Sequence, residues 1–327
     1  MAKFLIRRLL SSLILVFLAS SLAYLLAATT LSPRTNFEQQ QPPLSAEAIE
    51  RELDHLNLND RTPLAERYAT WLSGVVVGDF GQTITDQSVN EHIARKAGVT
   101  LRLIVVGAVI GATLGVAVGA YAAVRQYRAF DRVATVVAFF LLAVPTIVIA
   151  VVLQVTAVWI NDVTGQQLLE YGGEYTANLD AGFWGTLADR VQHAILPTLT
   201  LVLALFGAFS RYQRNMMLDV LASDFVRTAM AKGLTRRAAL FKHALRTAMI
   251  PTITYFTFTF GILIANATFT EKVFGWHGMG AWVVDSIVTN DVNAVAAVTC
   301  FMAVCVMAAS FLSDVLYAWL DPRVRVS

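Results

Sequence analysis

Six apolar stretches, each near the ~20 residues that a helix needs to cross a bilayer, limit what this chain can fold into more than any motif does. They run Leu9 to Leu31, Val99 to Val124, Val133 to Ile160, Ala194 to Ser210, Pro251 to Thr270 and Val292 to Leu320. Backbone inside hydrocarbon must satisfy its own polar groups, so such stretches are read as helices. The fourth is short for a span and is the least well bounded, near Pro197. With 56% hydrophobic and only 15% charged residues, the composition agrees. An all-α polytopic membrane protein is expected.

Orientation follows from where Lys and Arg fall, since the net charge of +2 says little by itself. Lys3, Arg7 and Arg8, the turn with Arg125, Arg128 and Arg132, a basic island from Asp219 to Arg246, and a tail with Arg323 and Arg325 share one side if six spans alternate. The other side holds Glu170, Glu174, Asp180, Asp189, Glu271, Asp285 and Asp291. The positive-inside tendency puts both termini and the island in the cytoplasm. The first apolar run is longer than the about 7–15 residues of a signal-peptide core, so it reads as an uncleaved anchor. Cys300 and Cys305 lie on different sides of one helix, which argues against a disulfide between them.

Within the island, Asp224 to Leu234 has the marks of a short helix, with Ser223 or Asp224 as cap and Gly233 as a left-handed stop. Thr235 then caps a second helix, Arg236 to about Thr247, leading to Pro251 at the foot of the next span. On the first helix Phe225, Ala229, Ala231 and Lys232 gather one aromatic and small side chains, with Arg227 and Lys232 adding charge. Such a surface can enter a protein groove or lie on anionic lipid.

Residues Ser32 to Lys96 read as an external polar region with helices from Ser45 to about Asn57, from Thr62-Pro63, and a short one from the capping box Ser88-Val89-Asn90-Glu91. Gln39 to Pro43 has linker composition. In the second span Gly107, Gly111, Gly115 and Gly119 share one face, fit for close helix packing or for lining a route. Pro145 kinks the third span, and Asn266 is a polar residue within the fifth. Asn161 to Gln192 is either a docking loop or a solvated one. No phosphate-binding G-x-x-x-x-G-K-[ST] loop, H-E-x-x-H or G-x-S-x-G occurs, and nothing supports nucleic-acid binding. Arg102 and Asp314 lie near span ends, so the spans hold few of the charges that ion-coupled carriers use.

The residue order of the island, Asp224-Phe225-Val226-Arg227-Thr228-Ala229-Met230-Ala231-Lys232-Gly233-Leu234 followed by His243-Ala244-Leu245-Arg246 and Pro251, resembles the coupling loop of bacterial ABC-importer membrane subunits in its peptide-permease form. Arg227 and Thr228 replace the Glu-Ala of the wider superfamily, as peptide permeases do. Three more blocks share the resemblance: Leu56 to Gly81 with Tyr68, Trp71-Leu72 and Gly78-Asp79-Phe80-Gly81; Glu271 to Gly280, where His277 and Met279 replace the usual Pro and Leu; and Asp314 to Arg323.

The resemblance implies a type I ABC importer permease fold: a first transmembrane helix over 1–31, an external helical region over 32–98, and a five-helix core over 99–327 with a coupling loop at 211–249. It implies a di- or oligopeptide importer, with nickel complexes or haem-type compounds as alternative cargo. The chain would pair with a second homologous permease, two cytoplasmic ATPase subunits or domains that bind ATP and Mg, and an external substrate-binding protein. It would itself bind no cofactor. Asp224, Phe225, Arg227, Thr228, Ala229, Ala231, Lys232, Gly233 and Leu234 are the implied ATPase contact. Glu271, Phe274, Trp276, Gly278 and Gly280 form an external turn whose aromatics anchor it at the interface or plug the pathway. The residues alone leave open an ATP-independent channel or carrier, or a scaffold.

Overall fold

The structure, a computed structural model, describes residues 2–320, the side chains of residues 2–6, 236, 237, 242 and 317–320 left aside. Arg323, Arg325 and the Asp321-Pro322-Arg323 end of the last motif lie outside the described residues, as do the side chains of Arg236, Arg237 and Lys242. The described residues form α1 (Ala2–Thr30), α2 (Arg34–Glu38), α3 (Ala46–His55), α4 (Leu64–Val76), α5 (Val89–Val124), α6 (Ala129–Ala143), α7 (Thr146–Thr164), α8 (Gly182–Leu221), α9 (Asp224–Ala231), α10 (Arg236–Ala239), α11 (Arg246–Phe274), α12 (Met279–Val288) and α13 (Val292–Leu320). Six of these, α1, α5, α7, α8, α11 and α13, are long and apolar enough to cross a membrane. The protein is all-α and polytopic.

Several boundaries differ from the sequence reading, each for a local reason. The capping box at Ser88, where Oγ accepts from the Glu91 amide at 3.4 Å, opens α5 itself and not a separate short helix. Pro63 takes the cap position, one residue later than the Thr62 expected there. Pro145 breaks the third span where a kink was expected: Val144 is extended (φ −90°, ψ 122°), the conformation that a following proline imposes, and α7 restarts behind it. The fourth span is not short, because α8 runs 40 residues through Pro197. At 1.5 Å per residue it is roughly 60 Å long. At that length it exceeds the hydrocarbon thickness, Arg211 and Arg214 are helical, and the loop between α7 and α8 shrinks to 165–181.

The chain divides into two compact units, Met1–Thr100 with His277–Ala308, and Leu101–Trp276 with Ala309–Ser327. In the first, Tyr24 stacks on Trp71 at 4.5 Å between ring centres, and the Tyr68 hydroxyl meets Ser21 Oγ at 2.7 Å. Phe37, Ile49, Leu53, Leu56 and Leu58 close over these rings together with Val292 and Ala296. Asn293 Nδ2 donates to the Leu56 and Gln82 carbonyls at 3.2 and 2.9 Å, stitching the region between α1 and α5 to the start of α13. The small helices therefore fold on the ends of spans.

Arg34 binds this region together electrostatically, reaching Glu50 at 2.9 Å and Asp60 at 2.5 Å. Its guanidinium hydrogen bonds hold both carboxyls below the usual carboxylate range. A depressed folded pKa stabilises above the unfolded value of about 4 and ceases to do so as pH falls through the folded values. Cleavage of residues 32–88 by an acid-active protease is expected to accelerate below about pH 4. In Arg34→Gln that pH dependence should shrink and cleavage should already be faster near neutrality.

In the second unit the glycine face of α5 lies on α8. A Cβ on Gly107, Gly111 or Gly115 would stand 2.9, 2.9 or 2.6 Å from the Cβ of Leu201, Leu205 or Phe209, and one on Gly119 would meet the Ser210 carbonyl. The stripe is a helix-packing surface. Asp131, 2% exposed, receives Arg214 Nε at 2.5 Å and Nη2 at 2.9 Å, and the amide of Tyr127 at 2.8 Å. This pair joins the start of α6 to α8.

Candidate coupling site

Local rules form the island's first helix as expected, with one change at its start. Ser223 sits at the cap in extended conformation, but its hydroxyl turns back to the Val220 carbonyl and caps nothing. At the other end Gly233 has φ +88°. Its amide donates to Met230 O at 3.0 Å and that of Leu234 to Ala229 O at 3.3 Å, the paired bonds of a Schellman closure. A left-handed φ costs glycine little, since it has no Cβ.

Val226 (1% exposed) and Ala229 (8%) lie three residues apart and point inward. Val226 packs among Ala123, Met217, Ala244 and Ala248, from the ends of α5 and α8 and the approach to α11. Ala229 therefore does not share the outer surface with Phe225, as the sequence reading placed it. That outer surface carries Asp224, Phe225 (47% exposed), Arg227, Thr228, Ala231, Lys232 and Gly233, while Leu234 is half-buried. Arg227 faces Asp224 at 3.6 Å, and Thr228 Oγ1 donates to the Asp224 carbonyl at 2.8 Å. The buried face of α9 is seated on protein, and its outward face mixes Phe225 and Met230 with charged and polar groups. What it presents is the Phe225 ring and the Met230 side chain among polar groups on a short, seated helix.

The second helix does not stop near Thr247. Thr235 Oγ1 accepts from the Ala238 amide at 3.3 Å, as a cap should. After Ala239 the backbone widens into a π-helical turn, Leu240–Leu245, and passes directly into α11 with Pro251 inside it. A π turn holds one residue more than an α turn, so it re-aims the helix without breaking it. The second helix of the island is thus continuous with a span.

The turn from Glu271 to Gly280 is more buried than the sequence suggested. Glu271 (0% exposed), Phe274 and Trp276 are enclosed by protein, so the aromatics are not interface anchors. Gly275 (φ +64°) ends α11, with the Trp276 amide bonded to Glu271 O at 2.8 Å. Gly278 caps α12 at its start and Gly280 is buried in its first turn. The loop before α8 is tied to the end of α11: Gly173 N–H donates to Phe274 O at 2.8 Å, and Gln154 Nε2 bridges Tyr171 O and Val273 O at 2.9 and 3.1 Å. Sequence reasoning missed Gln154, although a lone amide inside an apolar span was the available signal. Asn161 and Asp189 brace the same loop. The Asn161 carboxamide bonds Leu168 and Leu169, and Asp189 receives Thr176 Oγ1 at 2.6 Å.

A family model described as binding-protein-dependent transport system inner membrane component matches residues 115–326. Over 327 residues the chain is 51% identical to the oligopeptide transport system permease protein OppB of Mycobacterium tuberculosis, covering 100% of both. It is 33% identical over 332 residues to the oligopeptide transport system permease protein AppB of Bacillus subtilis (99% of this chain, 100% of the relative). To the dipeptide transport system permease protein DppB of Escherichia coli it is 31% identical over 276 residues (80% and 81%). The chain therefore belongs to the binding-protein-dependent transport system inner membrane components, as the non-catalytic, multi-pass permease subunit of an ABC importer whose ATP hydrolysis takes place on a separate subunit.

Proposed function

We propose that this chain imports di- or oligopeptides as one of two homologous permease subunits lining a shared pathway, and that α9 is where two cytoplasmic ATPase subunits or domains transmit their motion to it. The cargo reading rests on the relatives, which are oligopeptide and dipeptide permeases. An external binding protein delivers the peptide. Both termini and α9 face the cytoplasm, in keeping with the placement of Lys and Arg.

The observation that carries the coupling reading is the seating of α9: Val226 and Ala229 fix it from inside while Phe225, Arg227, Thr228 and Lys232 face outward. An exposed aromatic on a rigid support is the kind of group that dominates an interface once it enters a pocket. Force applied there passes through Gly233 and the π turn into α11, which suits a bundle that alternates between inward- and outward-open states.

The test is co-purification from native cells in mild detergent. Wild-type chain should recover an ATPase subunit. Gly233→Pro removes the amide bonded to Met230 and cannot reach φ +88°, so recovery should fail and uptake should stop while the membrane-embedded part keeps its thermal stability. Phe225→Ala, at an exposed position, should weaken ATPase binding about 30-fold, as loss of an aromatic anchor does. Equal recovery by all three proteins would refute α9 as the coupling element.

A further inference from the structure

A cavity of about 180 Å³ opens within the second unit between the end of α5, the first half of α6 and the last part of α8. Three alanines and Thr135 line it together with Phe139, Ser210, Arg211, Arg214 and Asn215. At ~30 Å³ per water it has room for about six, enough for a phosphate ester.

Its charge is set by three groups. Both Asp131 oxygens are engaged, Oδ1 by Arg214 Nε and Oδ2 by Arg214 Nη2 and the Tyr127 amide. Asp131 thereby holds the Arg214 guanidinium in place and leaves Nη1 unused among the described residues. Arg211 lies over the Phe139 ring at 4.4 Å and forms no ion pair among the described residues. One carboxylate thus stands against two guanidiniums, leaving the site net positive. Arginines in such a fork geometry suit phosphate oxygens.

What adjoins the cavity is apolar. Phe139 is itself half exposed, and Val133, Val136 and Phe140 continue an exposed hydrocarbon-like face along α6. Arg125, Arg128 and Arg132 mark this end of the helices as the cytoplasmic one. A polar, cationic recess opening onto an apolar helix face matches an amphiphile with an anionic head.

We propose that this cavity binds the phosphate ester of an anionic phospholipid from the cytoplasmic leaflet. Arg211 and Nη1 of Arg214 donate to the phosphate oxygens, Asn215 reaches the glycerol oxygens, and the acyl chains lie along Val133, Val136 and Phe140. The lipid braces α6 against the part of α8 that leads to the seat of α9. The site is independent of the cargo and of the ATPase contact.

The full chain, purified in mild detergent with the subunits that accompany it, is delipidated and titrated with phosphatidylglycerol or phosphatidylcholine, with bound lipid counted by native mass spectrometry. One phosphatidylglycerol should be retained in preference to phosphatidylcholine, and a large excess of inorganic phosphate should not displace it. Arg211→Gln, at an exposed position that does not threaten folding, should lower its affinity about fivefold, the worth of roughly one basic side chain facing an anionic leaflet. Arg211→Lys should keep most of it. Equal retention of phosphatidylcholine or an unchanged Arg211→Gln would overturn the proposal. Displacement by phosphate alone would reassign the cavity to a soluble anion and overturn the lipid.

Discussion

Asp131→Ala is expected to destabilise the protein by about 1.5–3 kcal/mol, because it removes the charge-assisted hydrogen bonds that hold the Arg214 guanidinium on the cavity wall. Asp131 is 2% exposed and accepts hydrogen bonds from Arg214, from the Tyr127 amide and from the Thr135 side chain. Tyr127 has φ +64°, so the carboxylate also holds the turn before α6 in a shape that a non-glycine residue resists. Arg214→Met should cost a comparable amount from the other side. Removing both charges together, as Asp131→Leu with Arg214→Met, should recover most of the loss, since a buried ion pair is often no better than an apolar pair of the same size. The four proteins form a double-mutant cycle read by thermal unfolding in one detergent. Additive losses in the double variant would mean that the two residues act separately and that the geometry is not an energetic coupling.

This pair also shows where the sequence stops informing. Arg214 looks like one more charge in a basic island, and nothing local to it points to Asp131, 83 positions away. Features decided by neighbouring residues were legible: the six spans, the Gly233 stop, the Thr235 cap, and the all-α class. Features decided by partners across the fold were not. Hydropathy cut α8 short at Ser210 because Arg211 and Arg214 read as loop, whereas the Phe139 ring and Asp131 satisfy them on the helix. Pro145 announced a disturbance but not its size, which depends on Val144 leaving the helical region altogether. At the candidate site the stretch and its closure were readable. The facing was not, because Val226 and Ala229 turn inward only once α5, α8 and the approach to α11 supply their seat. Phe274 and Trp276 likewise carry the composition of interface anchors, and only packing decides that they are enclosed.

Gly119→Val is the second change expected to be severe, and its sign can be isolated from the ordinary cost or gain of replacing glycine. In a helix, exchanging Gly for a residue with a side chain gains about 0.5–1 kcal/mol when nothing is in the way. At Gly261, in α11, a Cβ would meet nothing within 4 Å, so Gly261→Ala should be neutral or slightly stabilising. At Gly119 the same atom would fall on the Ser210 carbonyl, with the Arg214 amide nitrogen 3.1 Å away. Those obstacles are backbone, and no rotamer change can move them; α5 and α8 must separate. Overpacking of this kind costs about 1–3 kcal/mol and occasionally more, and separation here also pulls on the helix that presents Arg214 to Asp131. Gly119→Ala should therefore lower the unfolding temperature, Gly119→Val should lower it further, and Gly261→Ala should leave it level or raise it. A fall at Gly261 equal to that at Gly119 would show that lost glycine flexibility, and not the approach of α5 to α8, is what the stripe supplies.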